Sequence, residues 1–338
     1  MTTPAEILAD ARYLPFRLDL PQQRVLFVRM DAAARQQAAF LDERILTGDM
    51  PGAWLPLDSL PSAPAGVAPL HFIFHIGHCG STLLSRLLQA WPGVQSLREP
   101  LPLRSLAEAR GAQVNDQEQA ATPQWQSLLP TLLALWARPV PATKVTVIKA
   151  TSSCNGLIEP LLLAAPAARA ILLDVALEPY LATLFKSPDS VRDAAAAAPE
   201  RMATLRHALR DEQLRMDALS LPQLCAMGWL AEQRRFAELM AGPFGPRVLR
   251  VRFDTLLQQP EAGLAQIAAH LQWDTDAVRA ALASDAWGRY SKAQDHAYGA
   301  ADRAWDLDES RRRHALHIRG GLDYVAVLEA RHAVLGGA

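Results

Sequence analysis

Residues Phe74 to Leu88 read FHIGHCGSTLLSRLL. An apolar run tightens through Gly77 and Gly80, passes hydroxyls at Ser81 and Thr82, and leaves on leucines spaced for one face of a helix. The pattern predicts a strand, a turn and a helix. A glycine turn in this setting exposes successive backbone N–H groups, and the helix N-terminus adds partial positive charge, so the turn suits a phosphate. Gly77, His78, Cys79, Gly80, Ser81 and Thr82 are the candidate anion-binding residues. Ser81 and Thr82 suit simple N-capping equally well. The spacing is not GxxxxGK[ST], and no lysine precedes the hydroxyl pair.

From Leu70 onward, β-rich runs alternate with helical ones. LHFIFHI, VQSL, KVTVIKA, RAILLDV and RVLRVRF read as strands, and helical patterns such as STLLSRLLQAW and PLRSLAEAR follow them. That order predicts an α/β fold, a P-loop-like parallel sheet flanked by helices. The Ala-rich, polar stretch from about Asp189 to Met240 reads as a helical insertion or lid. Residues 1–60 read as a peripheral α/β extension, with a strand at RVLFVRM and a helix at AARQQAAFLDERIL, and the Pro-rich PLDSLPSAPAGVAP reads as a connector. The expected division is an extension over 1–66 and a main domain over 67–338.

The whole chain sets the remaining bounds. Its 338 residues are half hydrophobic, enough for a sizeable core, and the net charge of −1 gives no global attraction to nucleic acid or an acidic membrane. Any anion site must therefore be local. The compact basic run Arg311–Arg312–Arg313 lies close to Asp306, Asp308 and Glu309 and reads as a solvated helix face. Three scattered cysteines, Cys79, Cys154 and Cys225, with no CxxC pair, fit a reducing compartment rather than a disulfide framework or a zinc site. The opening MTTPAEILADARYLPFRLDL has no basic segment followed by an apolar one, and no window resembles a membrane span, so a cytoplasmic location is expected.

HCGSTLLSRLL resembles the phosphosulfate-binding loop of sulfotransferases, which use 3′-phosphoadenosine-5′-phosphosulfate (PAPS) as sulfuryl donor. It is most similar to the loop of the tyrosylprotein sulfotransferases, where a basic residue precedes a small residue, Gly and two Thr. Here His78 takes the basic position. With an ordinary pKa near ~6.5, it would be partly charged around neutrality. The same family sets a catalytic glutamate after the next strand, and Glu99 in QAWPGVQSLREP falls at that point, 19 residues beyond Gly80. A carboxylate at a strand's carboxyl end can accept the proton of an attacking hydroxyl. Taken alone, Glu99 also suits pairing with Arg98 or capping the helix near Pro100. Lys149, closing the strand in VTVIKATS, corresponds to a lysine that contacts the transferring group, where a cation neutralises charge developing on the leaving oxygen.

In RAILLDVALEPYLATLFK the resemblance implies an Arg and, eight residues on, a Ser for the donor's 3′-phosphate. Thr183 takes the Ser position, while Val175 stands where the Arg would be, which leaves Lys186 and Arg192 as compensating candidates. Asp174 beside the site would repel phosphate unless it points away. RVLRVRFDTLLQQPEAGLAQIAAHL sets Phe253 and Asp254 in the family's aromatic–acid positions. GRYSKAQDHAY carries Ser291 and Lys292, similar to a Ser-Lys pair in which the hydroxyl meets sulfate and the ammonium a phosphate. The resemblance thus implies a sulfotransferase fold and PAPS-dependent transfer, without a metal, to a hydroxyl-bearing small molecule or peptide. Glu99, Lys149 and Ser291 would be catalytic, and the turn, Thr183 and Lys292 would hold the donor. Two other readings fit the residues: a P-loop phosphotransferase using Asp174 as magnesium ligand, or a non-catalytic nucleotide-binding protein of the same fold.

Overall fold

Uninterrupted runs of Val, Ile, Leu and Phe leave a strand no face for water, so these runs must be covered on both sides. The computed structural model describes residues 3–48, 50–61, 69–115 and 124–335. Strands β1 (Tyr13–Asp19), β2 (Arg24–Arg29) and β3 (Gly52–Pro56) form an antiparallel sheet. Strands β4 (Leu70–His75), β5 (Val94–Arg98), β6 (Val145–Lys149), β7 (Ala170–Asp174) and β8 (Val248–Arg252) form a second sheet in the order β5-β6-β4-β7-β8. Every neighbouring pair in this second sheet is parallel. A short hairpin, β9 (Arg289–Tyr290) and β10 (Ala293–Ala297), follows.

Parallel neighbours need crossovers, and helices supply them. Ser81–Leu88 joins β4 to β5, Leu101–Asn115 and Gln124–Trp136 lie between β5 and β6, and Ile158–Ala164 precedes β7. Four helices between β7 and β8 include Pro188–Ala196, Ala198–Leu209 and the 21-residue Leu221–Ala241, so the stretch from Asp189 to Met240 is helical as its composition predicts except for an irregular connection over 210–220. The chain leaves β4 toward β5 on one side and then crosses from β6 to β7 on the other. The carboxyl ends of β4 and β6 therefore meet where the strand order reverses, the point at which open α/β sheets bind ligands. Among the described residues no helix is long and apolar enough to cross a membrane.

The first 60 residues depart from expectation. They are not peripheral: buried Trp136 donates from Nε1 to the Pro15 carbonyl at 3.0 Å, Arg138 Nη1 donates to the Leu8 carbonyl at 2.6 Å, and the Leu41 N–H meets the Arg98 carbonyl at 2.7 Å. The helix expected from the AARQQAAFLDERIL pattern covers only Ala32–Gln37, with a single 3₁₀ turn at Glu43–Ile45. Arg98, 1% exposed, donates to the carbonyls of Gln36 and Ala38 at 3.2 and 2.6 Å, which satisfies helix-end acceptors that another turn would otherwise have used. Leu41 then pairs along β5 instead. The proposed boundary at 66/67 and half of the Pro-rich connector lie outside the described residues.

Candidate active site at the carboxyl edge of the parallel sheet

The turn after β4 is built from backbone that few residues tolerate. Gly77, His78 and Gly80 have φ of 89°, 51° and 76°, in the left-handed region. The Gly77 N–H donates to His75 Nδ1 at 3.0 Å, closing the turn against the strand end. Gly80 is required twice over, because a Cβ there would lie 2.1 Å from Cζ of Phe253. This is the job of the aromatic in RVLRVRFD: it lies against the turn. Ser81 and Thr82 open the helix, both buried, and neither hydroxyl hydrogen-bonds to another described residue. Free hydroxyls and free helix-end N–H groups thus sit together at the strand-order reversal. Cys79 is different, since its thiol faces the core and donates to the Leu173 carbonyl at 3.4 Å, leaving only its backbone to contact a ligand.

His78 does not act as a cation near neutrality. Burial foremost, then the charges of Lys292 and Arg201, pushes its pKa down to about 4, and its ring packs edge-on to Tyr180 at 6.1 Å. The loop therefore has no charge of its own at pH 7. Cations arrive instead from other elements.

Beside the turn, β5 and β6 end in register, Arg98 against Lys149, and the Glu99 N–H bonds the Lys149 carbonyl at 2.7 Å. Glu99 turns left-handed, with φ 56°, and this swings its side chain onto the neighbouring strand end. Its carboxylate pairs with Lys149 Nζ through Oε1 and with Arg104 Nη2 through Oε2 at 3.1 Å, while the Thr151 hydroxyl donates to Oε2 at 3.3 Å. Burial alone would raise the Glu99 pKa. Lys149 above all outweighs it, bringing the acid from its ordinary 4.5 to about 2. Arg98, the alternative partner, faces the other way, onto Ser85 Oγ and the carbonyls of the 35–38 segment. Arg104 has no counterpart in the sequence reading, although a basic residue five positions after Glu99 lies in the first turns of the helix that follows.

The β9–β10 hairpin brings Lys292 to the same edge. Arg86, from the helix after the glycine turn, donates to the Ser291 carbonyl at 2.7 Å and to the Gln37 carbonyl at 3.3 Å, tying the hairpin to the amino-terminal segment. The Ser291 hydroxyl makes no hydrogen bond to another described residue. Lys292 remains solvent-exposed, while loss of hydration foremost and the nearby Lys149 and Arg44 lower its pKa. Its ammonium lies 5.9 Å from the ring centre of Phe40, Lys149 Nζ lies 5.8 Å from the same centre, and the Arg44 guanidinium covers it at 4.0 Å. Four cations, Lys149, Lys292, Arg44 and Arg104, thus face Glu99 and Asp42, with the charge of Asp193 also reaching Arg44. The edge is electropositive although the chain is not.

Other expected residues lie apart from this cluster or are already engaged. Asp174, 1% exposed, pairs through Oδ2 with Arg250 of β8, while its Oδ1 has no hydrogen-bond partner among the described residues. Thr183 donates its hydroxyl to the Pro179 carbonyl at 2.7 Å, and Val175 is buried. Lys186 pairs with Asp306, and Arg192 makes an exposed pair with Asp189 on its own helix. Asp254 pairs with Arg303 at 3.0 Å. Arg311 grips Glu178 and Asp308, and Arg312 pairs with Glu309. Among the described residues, no group of three or more His, Cys, Asp or Glu side chains has the arrangement of a metal site.

No protein-family model matches the chain, and no curated protein matches it. Solved structures do. The sulfotransferase domain of the Synechococcus PCC 7002 olefin synthase is 19% identical, with a TM-score of 0.45 over 74% of this chain and 90% of that one. The sulfotransferase domain from the curacin biosynthetic pathway is 12% identical, with a TM-score of 0.44 over 74% and 99%. Mouse sulfotransferase SULT7A1, solved with PAP, is 12% identical, with a TM-score of 0.32 over 67% of this chain and 68% of that one.

Proposed function

We infer that this chain is a sulfotransferase that moves a sulfuryl group from PAPS to a hydroxyl acceptor. The observation that carries the reading is the meeting of the glycine turn and its free Ser81 and Thr82 hydroxyls with the Glu99–Lys149 pair at one sheet edge. A phosphosulfate suits that donor set: N–H groups and hydroxyls for its oxygens, and an excess of cations for its charge. Sulfuryl transfer forms a bond between the acceptor oxygen and sulfur and breaks the sulfur–oxygen bond to the phosphate, which keeps the electron pair. Glu99 receives the acceptor's proton. At a pKa of about 2 it is a weak base, so Lys149 must release it. When Lys149 turns toward the negative charge gathering on the leaving oxygen, Glu99 loses the largest opposition to burial and keeps Arg104 and Thr151, so its basicity rises as the proton comes free. Ser291 and Lys292, carried by the hairpin, supply further donors to the sulfate and a phosphate.

The tyrosylprotein enzymes remain a likeness of motif, and the acceptor class stays at the level of a hydroxyl. The phosphotransferase reading needs a carboxylate near the turn to serve magnesium, and the candidate, Asp174, already has its Oδ2 neutralised by Arg250. Thermal-shift profiling with adenosine 3′,5′-bisphosphate, ATP and GTP separates the alternatives. Stabilisation by the bisphosphate above the triphosphates is expected. Preference for a triphosphate would overturn the proposal in favour of phosphoryl transfer, and a shift with none of the three would leave the fold without the donor.

A further inference from the structure

Phe40 belongs to a segment with no part in the resemblance, yet it lies among the charged groups of the site. Its ring is half-buried, and the three cations around it come from three separate elements: Arg44 from its own segment, Lys149 from the end of β6 and Lys292 from the hairpin. Like charges brought this close repel; Asp42 is engaged by Arg44 and Glu99 by Lys149 and Arg104, and the further charge of Asp193 acts on Arg44 rather than on the two ammonium groups. The face of an aromatic ring carries negative potential that attracts ammonium and guanidinium groups within about 6 Å. An aliphatic side chain of similar volume would give no such compensation.

The backbone keeps the ring there. Arg98 holds the carbonyls of Gln36 and Ala38 on one side of Phe40, and the Leu41 N–H bonds the Arg98 carbonyl on the other, one residue before Glu99. Arg86 reaches from the helix behind the glycine turn to both the Gln37 and the Ser291 carbonyls. The ring and the hairpin bearing Lys292 are thus clamped to the same frame.

We propose that Phe40 is a positioning residue, supplied by the amino-terminal segment, whose ring gathers the ammonium groups of Lys149 and Lys292 at the reacting centre. The amino-terminal sheet is then part of the site rather than an appendage. The inference rests on the sulfotransferase reading for its catalytic consequence, but its physical content, an attraction between ring and cation, can be measured without turnover.

Progressive fluorination tests it, because mono-, di- and trifluorophenylalanine at position 40 nearly keep the ring's size while removing its negative face. In the full-length protein, the Lys292 ammonium is titrated by NMR after reductive ¹³C-methylation. Glu99, Lys149 and Arg44 are present in every variant, so the ring alone changes. The acid dissociation constant of Lys292 should rise stepwise with fluorine count, by about threefold across the series, the scale of an exposed cation–π contact, and Phe40→Leu should match the trifluoro end. In the transfer assay kcat should fall in the same order, with a smaller effect on the donor's KM, and Phe40→Trp should keep both near wild type. A Lys292 titration identical in all variants would overturn the proposal whatever the enzyme does. Stepwise titration in a protein without sulfuryl transfer would instead sink the functional reading and leave the role of the ring standing.

Discussion

Glu99 offers the sharpest test of the site's electrostatics, because its side chain is 10% exposed and Lys149 brings its pKa, against burial, from 4.5 down to about 2. A carboxylate whose folded pKa lies below its unfolded one contributes stability above the unfolded value, and that contribution drains away as pH falls through 4.5 toward 2. At 1.36 kcal/mol per unit, the pair holds about 3 kcal/mol at pH 7 and about 1 kcal/mol at pH 3. The perturbation is the double variant Glu99→Gln/Lys149→Met, which removes both charges together and leaves neither buried alone. Urea unfolding of both proteins at half-unit steps from pH 3 to pH 7 gives two stability curves. Their difference should change by about 2 kcal/mol, with the wild type losing more as the solution is acidified. The absolute offset is not diagnostic, since a hydrophobic replacement for an ion pair can be neutral or stabilising. A constant difference across the range would mean that Glu99 titrates normally and that the Lys149 pair does not set its protonation.

Glu99→Gln alone should keep bisphosphate binding, measured by calorimetry, while turnover falls by roughly 10²–10⁴, the contribution of a positioned base; undiminished turnover removes Glu99 from the mechanism. Because His78 has a pKa of about 4, His78→Gln and the wild type should show superimposable donor affinities from pH 6 to 8, and a steeper wild-type profile would mean the imidazole is charged there after all. Gly80→Ala sets a methyl against the Phe253 ring and forces a left-handed alanine, so it should cost at least about 2 kcal/mol, partly recovered by Phe253→Leu in the same chain; no recovery would separate the loss from that contact. Asp174→Asn should destabilise by about 1–2 kcal/mol, the loss of a charge-assisted bond from Arg250, which is 30% exposed and keeps Gln233, yet leave bisphosphate affinity unchanged, whereas a selective loss of magnesium–ATP binding would favour phosphoryl transfer.

The parallel sheet is legible because its signal is local and redundant. Phe72, Ile73 and Phe74 are wholly buried, as are Val147 and Ile148, and no half-exposed strand would carry such runs. The glycine turn is legible for a similar reason: the two glycines stand where the chain goes left-handed, one of them also under an aromatic ring. The amino-terminal segment is the contrary case. AARQQAAFLDERIL has good helix propensity throughout, but the chain breaks off at Gln37 because Arg98, some sixty residues away, takes the carbonyls. A tertiary hydrogen bond overrides propensity there, and nothing within the segment announces it.

The charged residues of the site divide along the same line. Glu99 and Lys149 each close a strand, so counting along the sequence reaches both, and strand register brings them together. Arg44, Lys292 and Phe40 approach from loops whose positions depend on long-range clamps by Arg86 and Arg98. Of the cations that gather at the edge, Lys292 is reached from its Ser-Lys pair in the sequence, whereas Arg44 carries no signal near the motif and is brought there by the fold alone. Costly features collect at this edge too: left-handed His78 and Glu99, a lysine that is 1% exposed, and an excess of cations. Each violates a local rule and costs about 1–3 kcal/mol where the backbone is strained. A fold that only had to be stable would replace them with glycine and apolar side chains, which is the physical ground on which we propose this edge as the site.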